Sequence, residues 1–477
     1  MNRLRLLLLL TPFASTWAAL PSVGPNYQRP AVESPAAFRD TDAFGPWKAA
    51  TPADTAVRGE WWRLFADPVL DALEARAIAS NQDLRAAVAR VDQARAAAGL
   101  GRSAAWPQVA IDPSLQREQT SSTTNNVVPR DLTTTYRTPL TASWEIDLFG
   151  RVRRLTESAR ADAEASAATL EAVRLALTAE VAATYFGLQG LDRELGLLRD
   201  TTGLRRRALD LVAARLRSGA AGELDVVRAE TELATAEAET AALTNRRSSL
   251  QTALAVLVGT PASEFELAPS SPTAAPVPPP AVPAGLPADL LERRPDIAAA
   301  ERALAASNAR IGVAKAAFFP AISLTGHAGF VSGELDTLFN RDSRAWSIGP
   351  SLYLPIFQGG RNRANLERSR AAYEESVALF RQRVLIAFRE VQDALTATRL
   401  LADQAAAQDR ALVAARRATS LAQTRYDAGF VSYLEVIDAQ RTSLATERAS
   451  TQLATQRLTT GVALIKALGG GWSSTAL

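Results

Sequence analysis

Residues 170–198 read LEAVRLALTAEVAATYFGLQGLDRELGLL, and the spacing of their apolar side chains decides the fold class. Leu170, Val173, Leu177, Val181, Tyr185, Leu188, Leu191, Leu195 and Leu198 make eight steps over 28 residues. The mean step of 3.5 is the period of helices packed as coiled coils. The stretch lies within 151–218, which has no proline and has glycine only at Gly187, Gly190, Gly196 and Gly203. At ~1.5 Å per residue this predicts one helix about 100 Å long. Gly219 to Gly222 breaks it, and 223–258 is expected to return alongside as a second long helix.

The same pattern occurs twice. Residues 151–219 lie on 361–429 at a constant offset of 210, without a gap. Leu224-Asp225-Val226-Val227 falls on Leu434-Glu435-Val436-Ile437, and Gly259 on Gly469. Upstream, Asp83-Leu84 matches Asp296-Ile297 and Trp106-Pro107 matches Phe319-Pro320, both at offset 213. The chain therefore reads as an internal duplication. Its parts are a first repeat over 19–259, a connector over 260–294 and a second repeat over 295–477. Each repeat holds a helix, a β-hairpin and two long helices; an N-terminal segment precedes the first and a short tail ends the second. The second repeat's long helices are expected at 361–428 and 432–468. The stretch 260–295 contains ten prolines and cannot be helical, so an extended connector is expected.

Between the helical stretches the period changes to two, the signal of a strand. In 108–116, Val109, Ile111 and Leu115 alternate with Gln108, Asp112, Ser114 and Gln116. Similar alternation covers 140–148, 322–330 and 346–356, where Trp144, Leu324 and Trp346 lie in the apolar phase. Each length suits a tilted membrane-crossing strand, and each pair encloses a polar loop. A soluble sandwich is the competing reading, but the remaining sequence offers only bundle-type helices to cover an apolar face. Four strands cannot close a barrel, for which about eight is the minimum, so spanning lipid requires several copies to pool strands. Strand counting alone leaves a dimer, a trimer or a tetramer open.

Composition excludes most chemistry. The 477 residues carry 53 basic and 50 acidic side chains, a net charge of +3, with no basic patch interleaved with aromatics to suit nucleic acid. Only Lys48, Lys315 and Lys466 are lysines, so the basic character is arginine. Cysteine is absent, which removes disulfides, thiol nucleophiles, iron–sulfur clusters and thiolate zinc sites. His327 is the one histidine and lies in the polar phase of a strand, where a place lining an aqueous lumen is expected. No P-loop or dinucleotide fingerprint occurs, and pairs such as Glu230/Glu232 and Glu374/Glu375 read as solvated helix faces. No enzymatic activity, cofactor or metal site is expected.

At the N-terminus, Arg3 and Arg5 precede the apolar run from Leu6 to Leu10, and Thr16 and Ala18 provide a small-x-small cleavage site. Residues 1–18 read as a secretory signal peptide, interrupted by Pro12 and too short for an anchor.

With these elements in place, the chain resembles the TolC-type outer-membrane efflux channels, most closely the NodT/OprM branch serving resistance-nodulation-division pumps. The matching stretches are Val23-Gly24-Pro25-Asn26-Tyr27-Gln28-Arg29-Pro30, Trp61-Trp62 with Phe65, Asp67-Pro68 and Leu70, and Ser143-Trp144-Glu145-Ile146-Asp147-Leu148-Phe149-Gly150-Arg151. Arg294-Pro295-Asp296-Ile297 leading to Phe319-Pro320 completes the set. The resemblance implies an α+β membrane protein: a homotrimer with a twelve-stranded β-barrel, four strands per chain, continued by a twelve-helix periplasmic tunnel with a mixed belt. It implies a passive outer-membrane export duct for small toxic compounds or drugs, driven by an inner-membrane pump through a periplasmic adaptor. A type I protein-secretion duct and a non-pore coiled-coil envelope scaffold are the alternatives. Branch members usually carry a lipidated cysteine before the Val-Gly-Pro stretch; Leu20-Pro21-Ser22 stands there, so no acyl anchor is expected.

The resemblance also points to residues. Gly219, Ala220, Ala221, Gly222 and Gly429, Phe430, Val431, Ser432 match the helix tips that meet the adaptor. Tyr426 and Asp225 match a closing hydrogen bond between neighbouring hairpins, while Val431 takes the place of an additional arginine lock. Leu434, Asp438 and Arg441 match the constriction, with Glu435 facing the same tip as Asp225. Comparison of the repeats adds a reason: Asp438 falls on Arg228 and Arg441 on Thr231, so a six-fold mouth becomes three-fold there.

Overall fold

The structure is a computed structural model that describes residues 22–31, 59–121, 132–270 and 294–470. The expected signal peptide, most of the connector and the C-terminal tail lie outside the described residues. The chain divides into two compact units, one of residues 1–31, 90–167 and 299–381, the other of 32–89, 168–298 and 382–477.

The first unit contains an antiparallel sheet of β1 (Gln108–Ile111), β2 (Ser114–Gln119), β3 (Leu132–Ile146), β4 (Ala321–Ser332) and β5 (Arg344–Tyr353). Its order is β1-β3-β4-β5, with β2 also on β3. β1 and β2 share one register on β3, shown by Ile111 opposite Leu140 and Ser114 opposite Arg137. They are one strand interrupted at Asp112-Pro113, opposite Pro139, which accepts the N–H of Asp112 but has no N–H to return. The expected strand over 108–116 is thus broken and runs on to Gln119, so five segments fill four positions. The expected strand over 140–148 begins instead at Leu132, and it ends at Ile146 because Asp147 turns to cap a helix. The other two expected strands, 322–330 and 346–356, shift by no more than three residues at either end.

One face of this sheet is apolar across all four positions. Ile111, Leu140, Ala328 and Trp346 are cross-strand neighbours, and so are Trp144 and Leu324. Val109, Ile111, Trp346, Ile348 and Leu352 are each more than half exposed within the chain. The opposite face carries Ser143, Thr325, Ser323 and Ser351, and His327 sits between Thr141 and Ser347 as expected from its phase.

The strands pass into helices through charged clamps. Arg151 grips Glu145 at 2.7 Å through Nε, and Asp147, 4% exposed, accepts the backbone N–H of Arg153 at 2.9 Å. That carboxylate satisfies one of the unpaired donors at the start of α3 (Arg151–Arg217). Phe149 stacks on Phe319 at 4.9 Å. The N-terminal segment lies on this unit: Arg154 donates to Asn26 at 2.7 Å, and Asn308 of α5 (Pro295–Ala316) donates to the carbonyl of Pro25 at 3.1 Å. Gly24 has φ +104°, and a Cβ there would strike the backbone of Gly312, which explains a glycine in the Val-Gly-Pro stretch.

The second unit is helical. It contains α1 (Pro68–Ser80), the start of α2 (Gln82–Ser103), α4 (Glu223–Leu257), α7 (Tyr433–Ala467), and the larger parts of α3 and of α6 (Arg361–Asp427). α3 and α6 are each 67 residues long, α4 and α7 each 35, and each pair starts and ends 210 residues apart. Of the nine apolar positions that set the period, all from Leu177 to Leu198 are buried. Leu191, Leu195 and Leu198 pack on Leu243 of α4, the returning helix. Trp61, Trp62 and Phe65 wedge beside Phe186, with Trp61 Nε1 donating to Thr178 at 3.2 Å. Asp67 caps α1 through the N–H groups of Val69 and Leu70 and accepts the Tyr185 hydroxyl at 2.8 Å. Arg294 pairs with Asp296 and Glu390 and donates to the carbonyl of Ala467 at 2.9 Å. The stretches that carried the resemblance are therefore joints of the scaffold.

Glu74 on α1 is fully buried, and among the described residues neither carboxylate oxygen has a hydrogen-bond partner. Burial, reinforced by the charge of Asp71, raises its pKa from 4.5 to about 9. The folded chain therefore holds a proton that the unfolded chain has released, and stability falls as pH rises from 4.5 towards 9. Glu74→Leu is expected to raise the thermal midpoint at pH 8 and to flatten its decline between pH 5 and 8; circular dichroism melts in detergent check both.

Candidate functional site

The two hairpin tips are built alike. Gly219 (φ +78°) and Gly429 (φ +77°) each end a long helix in the left-handed region. The N–H of Gly219 reaches the carbonyl of Leu216 and that of Ala220 reaches Arg215, while Gly429 and Phe430 repeat this with Tyr426 and Arg425. The pairing closes the last turn and reverses the chain within a few residues. Gly222 and Ser432 then precede α4 and α7 without a side-chain cap, and Glu223, Asp225 and Glu435 supply negative charge to those helix starts. Gly219, Ala220, Gly222, Gly429, Phe430 and Ser432 are exposed, whereas Ala221 and Val431 are half-buried.

Above the turns the two hairpins meet in an apolar cluster. Val212 of α3 and Ala229 of α4 pack with Tyr433, Val436 and Ile437 of α7, and Tyr426 of α6 lies against them. Tyr426 and Tyr433 approach at 5.6 Å between ring centres, and the Arg215 guanidinium lies 4.9 Å over the Tyr426 ring. Burial, then the neighbouring Tyr426 and Glu232, pushes the Tyr433 phenol up. Within the chain, the expected hydrogen bond between Tyr426 and Asp225 is not formed. The tyrosine is held by its ring, between the Arg215 cation of the first hairpin and Tyr433 of its own, so Arg215 ties it to the first hairpin.

The charged core of the site is Glu232. Its side chain is 8% exposed and pairs with Arg205 of α3 at 2.9 Å, and Arg205 also donates to the Glu232 carbonyl at 2.6 Å. Arg441 of α7 reaches the same carboxylate with Nε at 2.8 Å and with a second guanidinium nitrogen. The two arginines differ in access: the Arg205 side chain is 10% exposed, that of Arg441 56%. Hydrogen bonding to Glu232 raises the Arg441 pKa against desolvation, and the charges of Glu232 and Asp438 add to the rise.

Leu434, Asp438 and Arg441 follow at helical spacing on α7, so one stripe carries all three. Leu434 and Asp438 are exposed, and among the described residues no hydrogen bond or ion pair engages the Asp438 carboxylate. Arg441 alone of the stripe is tied down. Further along α7, Arg448 pairs with Glu194 of α3 at 2.7 Å and with Glu239 of α4 at 2.8 Å.

These contacts break the repeat. At offset 210, Arg205 corresponds to Ala415, Glu232 to Thr442 and Arg441 to Thr231. Arg448 corresponds to Ala238, Glu194 to Gln404 and Glu239 to Ala449. Every charge in both networks is absent from the other half, so each network occurs once per chain and ties α7 to the first hairpin. Reading the sequence found Asp438 and Arg441 by this comparison but missed Arg205 and Glu232, although the same comparison marks them.

Among the described residues, no group of three or more His, Cys, Asp or Glu side chains is placed to hold a metal, and no helix is long and apolar enough to cross a membrane.

Known proteins match this architecture over nearly its whole length. The family model for outer membrane efflux protein matches residues 73–260 and 286–470. Outer membrane protein OprJ of Pseudomonas aeruginosa is 37% identical over 454 residues, which is 94% of this chain and 93% of the relative. Toluene efflux pump outer membrane protein TtgF of Pseudomonas putida is 36% identical over 463 residues, 95% of this chain and 94% of the relative. Cation efflux system protein CusC of Escherichia coli K12 is 33% identical over 453 residues, covering 94% and 96%. Among solved structures, the outer-membrane channel OprN superposes with a TM-score of 0.85 at 33% identity, over 94% of this chain and 99% of that one. The open state of the MtrE channel of Neisseria gonorrhoeae gives 0.79 at 31% identity, over 94% and 98%. The chain belongs to the outer membrane efflux protein family and is the outer-membrane channel of an efflux system.

Proposed function

We propose that three copies form a passive duct with a periplasmic gate at the hairpin tips. Four strand positions per chain make a twelve-stranded barrel, and the helices of the duplicated halves, residues 19–259 and 295–477, make the tunnel. The glycine-containing tips receive a periplasmic adaptor, and a resistance-nodulation-division pump in the inner membrane supplies the energy. Relatives named for toluene and for cations stand at 36% and 33% identity, which supports a duct that leaves the choice of cargo to its pump. The naming of these relatives for efflux favours it over protein secretion. With no cysteine for an acyl anchor, the barrel alone holds the trimer in the membrane.

The observation that carries the gate is the pair of arginines on Glu232. A buried carboxylate stripped of all its cations would be costly. Arg205 stays with Glu232 inside the first hairpin, so Arg441 can leave without that penalty and release α7. Three symmetry-related Asp438 carboxylates near one axis narrow the closed mouth and draw cations to it. The gate thus has a permanent clasp and a removable one.

Two measurements follow. In planar bilayers, Asp438→Ala is expected to raise closed-state conductance severalfold and weaken cation preference, with Arg228→Ala changing little; equal effects would move the gate elsewhere. Arg441→Gln is expected to raise basal conductance and antibiotic leakage with almost no change in thermal midpoint. Arg205→Gln should instead destabilise the fold by roughly 3 kcal/mol, the cost of breaking a buried pair. Parallel melts and conductance recordings separate the two arginines.

A further inference from the structure

A cleft of about 580 Å³ in the first unit lies over α5, between α3 and α6. Arg151, Ser158 and Asp162 line it from α3, Arg310 from α5, and Asn365 and Arg368 from α6. Leu155, Val313 and Ala314 give it apolar walls. The flanking helices turn the same face to it, since Leu155 corresponds to Asn365 and Ser158 to Arg368 at offset 210. Arg310 of the middle helix corresponds to Ala97 at offset 213, so its charge occurs once per chain.

The two sides of α5 have different surroundings. Asn308 and Gly312 lie against the N-terminal segment, at Pro25 and Gly24. Arg310 and Ala314 each follow by two residues, which at about 100° per residue sets them on the opposite side. Arg151 links the cleft to the sheet, because it grips Glu145, which extends the polar phase of Thr141 and Ser143 on β3. The cleft is therefore continuous with the polar face of the sheet.

Donors outnumber acceptors in this cleft. Arg151 is committed to Glu145, and Arg310 to Asp162. Among the described residues, no hydrogen bond or ion pair engages the Arg368 guanidinium or the Ser158 hydroxyl, although Ser158 is only 4% exposed. A hydroxyl inside a helix ordinarily bonds back to a carbonyl one turn earlier, as Thr156 does with Val152. Ser158 keeps its hydroxyl for the cleft.

We propose that the cleft is a binding site, one per chain, for organic anions with an apolar body. Its place on the wall of the lumen rests on the duct reading above; the ligand class is added here. A carboxylate or sulfonate takes hydrogen bonds from Arg368 and Ser158 beside the Arg310 charge. The apolar part lies on Leu155, Val313 and Ala314. Cations gain little there, because Asp162, the one carboxylate among these lining residues, already holds Arg310.

The test is equilibrium dialysis of naphthalene-1-sulfonate against the full chain in lipid nanodiscs. Empty nanodiscs give the baseline, and the uncharged 1-naphthalenemethanol gives the comparison. Saturable binding of the sulfonate is expected, and Arg368→Gln is expected to weaken it about tenfold, the loss of one charge-assisted bond. Asp162→Asn frees Arg310 and is expected to tighten binding roughly threefold, a gain that a misfolded variant cannot give. Arg370→Gln, outside the cleft, is expected to change nothing. No saturable binding, equal binding of the alcohol, or binding unmoved by Arg368→Gln and Asp162→Asn overturns the site. Conductance of the same preparations judges the duct separately. Sulfonate bound with this variant pattern by a protein that never conducts upholds the site and overturns only its place in a duct.

Discussion

Backbone N–H and C=O groups at a sheet edge have no partner in hydrocarbon, and that constraint governs the molecule. β3, β4 and β5 with their broken neighbour make a sheet whose apolar face suits lipid, but β5 and the β1–β2 strand are left as open edges. Folding one chain cannot close them. In the proposed trimer, a neighbouring copy supplies the missing edge. The helices follow from the same strands. Glu145 and Asp147, at the end of β3, fix the first turn of α3, so strand and helix directions are set together. In the second unit, Asp67 and Arg294 place the shorter helices against the long ones through a few buried polar bonds.

In the proposed duct, sameness between the halves builds the wall, and difference between them builds the gate. Both tips use the same left-handed glycine and the same pair of backbone bonds, so neither tip is special as a turn. The asymmetry enters through charge. Glu232 and Glu194 are buried acids of the first hairpin, and the arginines that α7 sends to them have no counterparts in α4. Such bonds fix one hairpin on the other without a change in backbone design. In the proposed duct, they give a contact that can be released while the surrounding coiled coil stays packed.

Much of this was legible in the sequence because proline and glycine punctuate it sharply. The long helices end within one residue of the positions set by the glycine breaks, and their period was visible in leucine spacing. Strand ends were harder. The threonines at 133–135 give no apolar alternation, so the outer half of β3 read as loop. Proline at 113 interrupted a strand whose side-chain pattern continued through it. Comparison of repeats exposed Asp438 and Arg441, but the acid that holds Arg441 looked like part of a solvated helix face. Burial of Glu232 depends on Arg205 arriving from another helix 27 residues away, which no local pattern encodes. The bond between Tyr426 and Asp225 came from resemblance alone, and within the chain Tyr426 is engaged by Arg215 instead.

The central claim is that this chain assembles into a conduit that is shut at rest. Single-channel recording from the purified, unaltered protein in a planar lipid bilayer tests it most directly. The account predicts a low resting conductance, interrupted by discrete openings of uniform size that favour cations. A protein that inserts yet conducts nothing at any voltage, or one that is permanently and unselectively open, would contradict it.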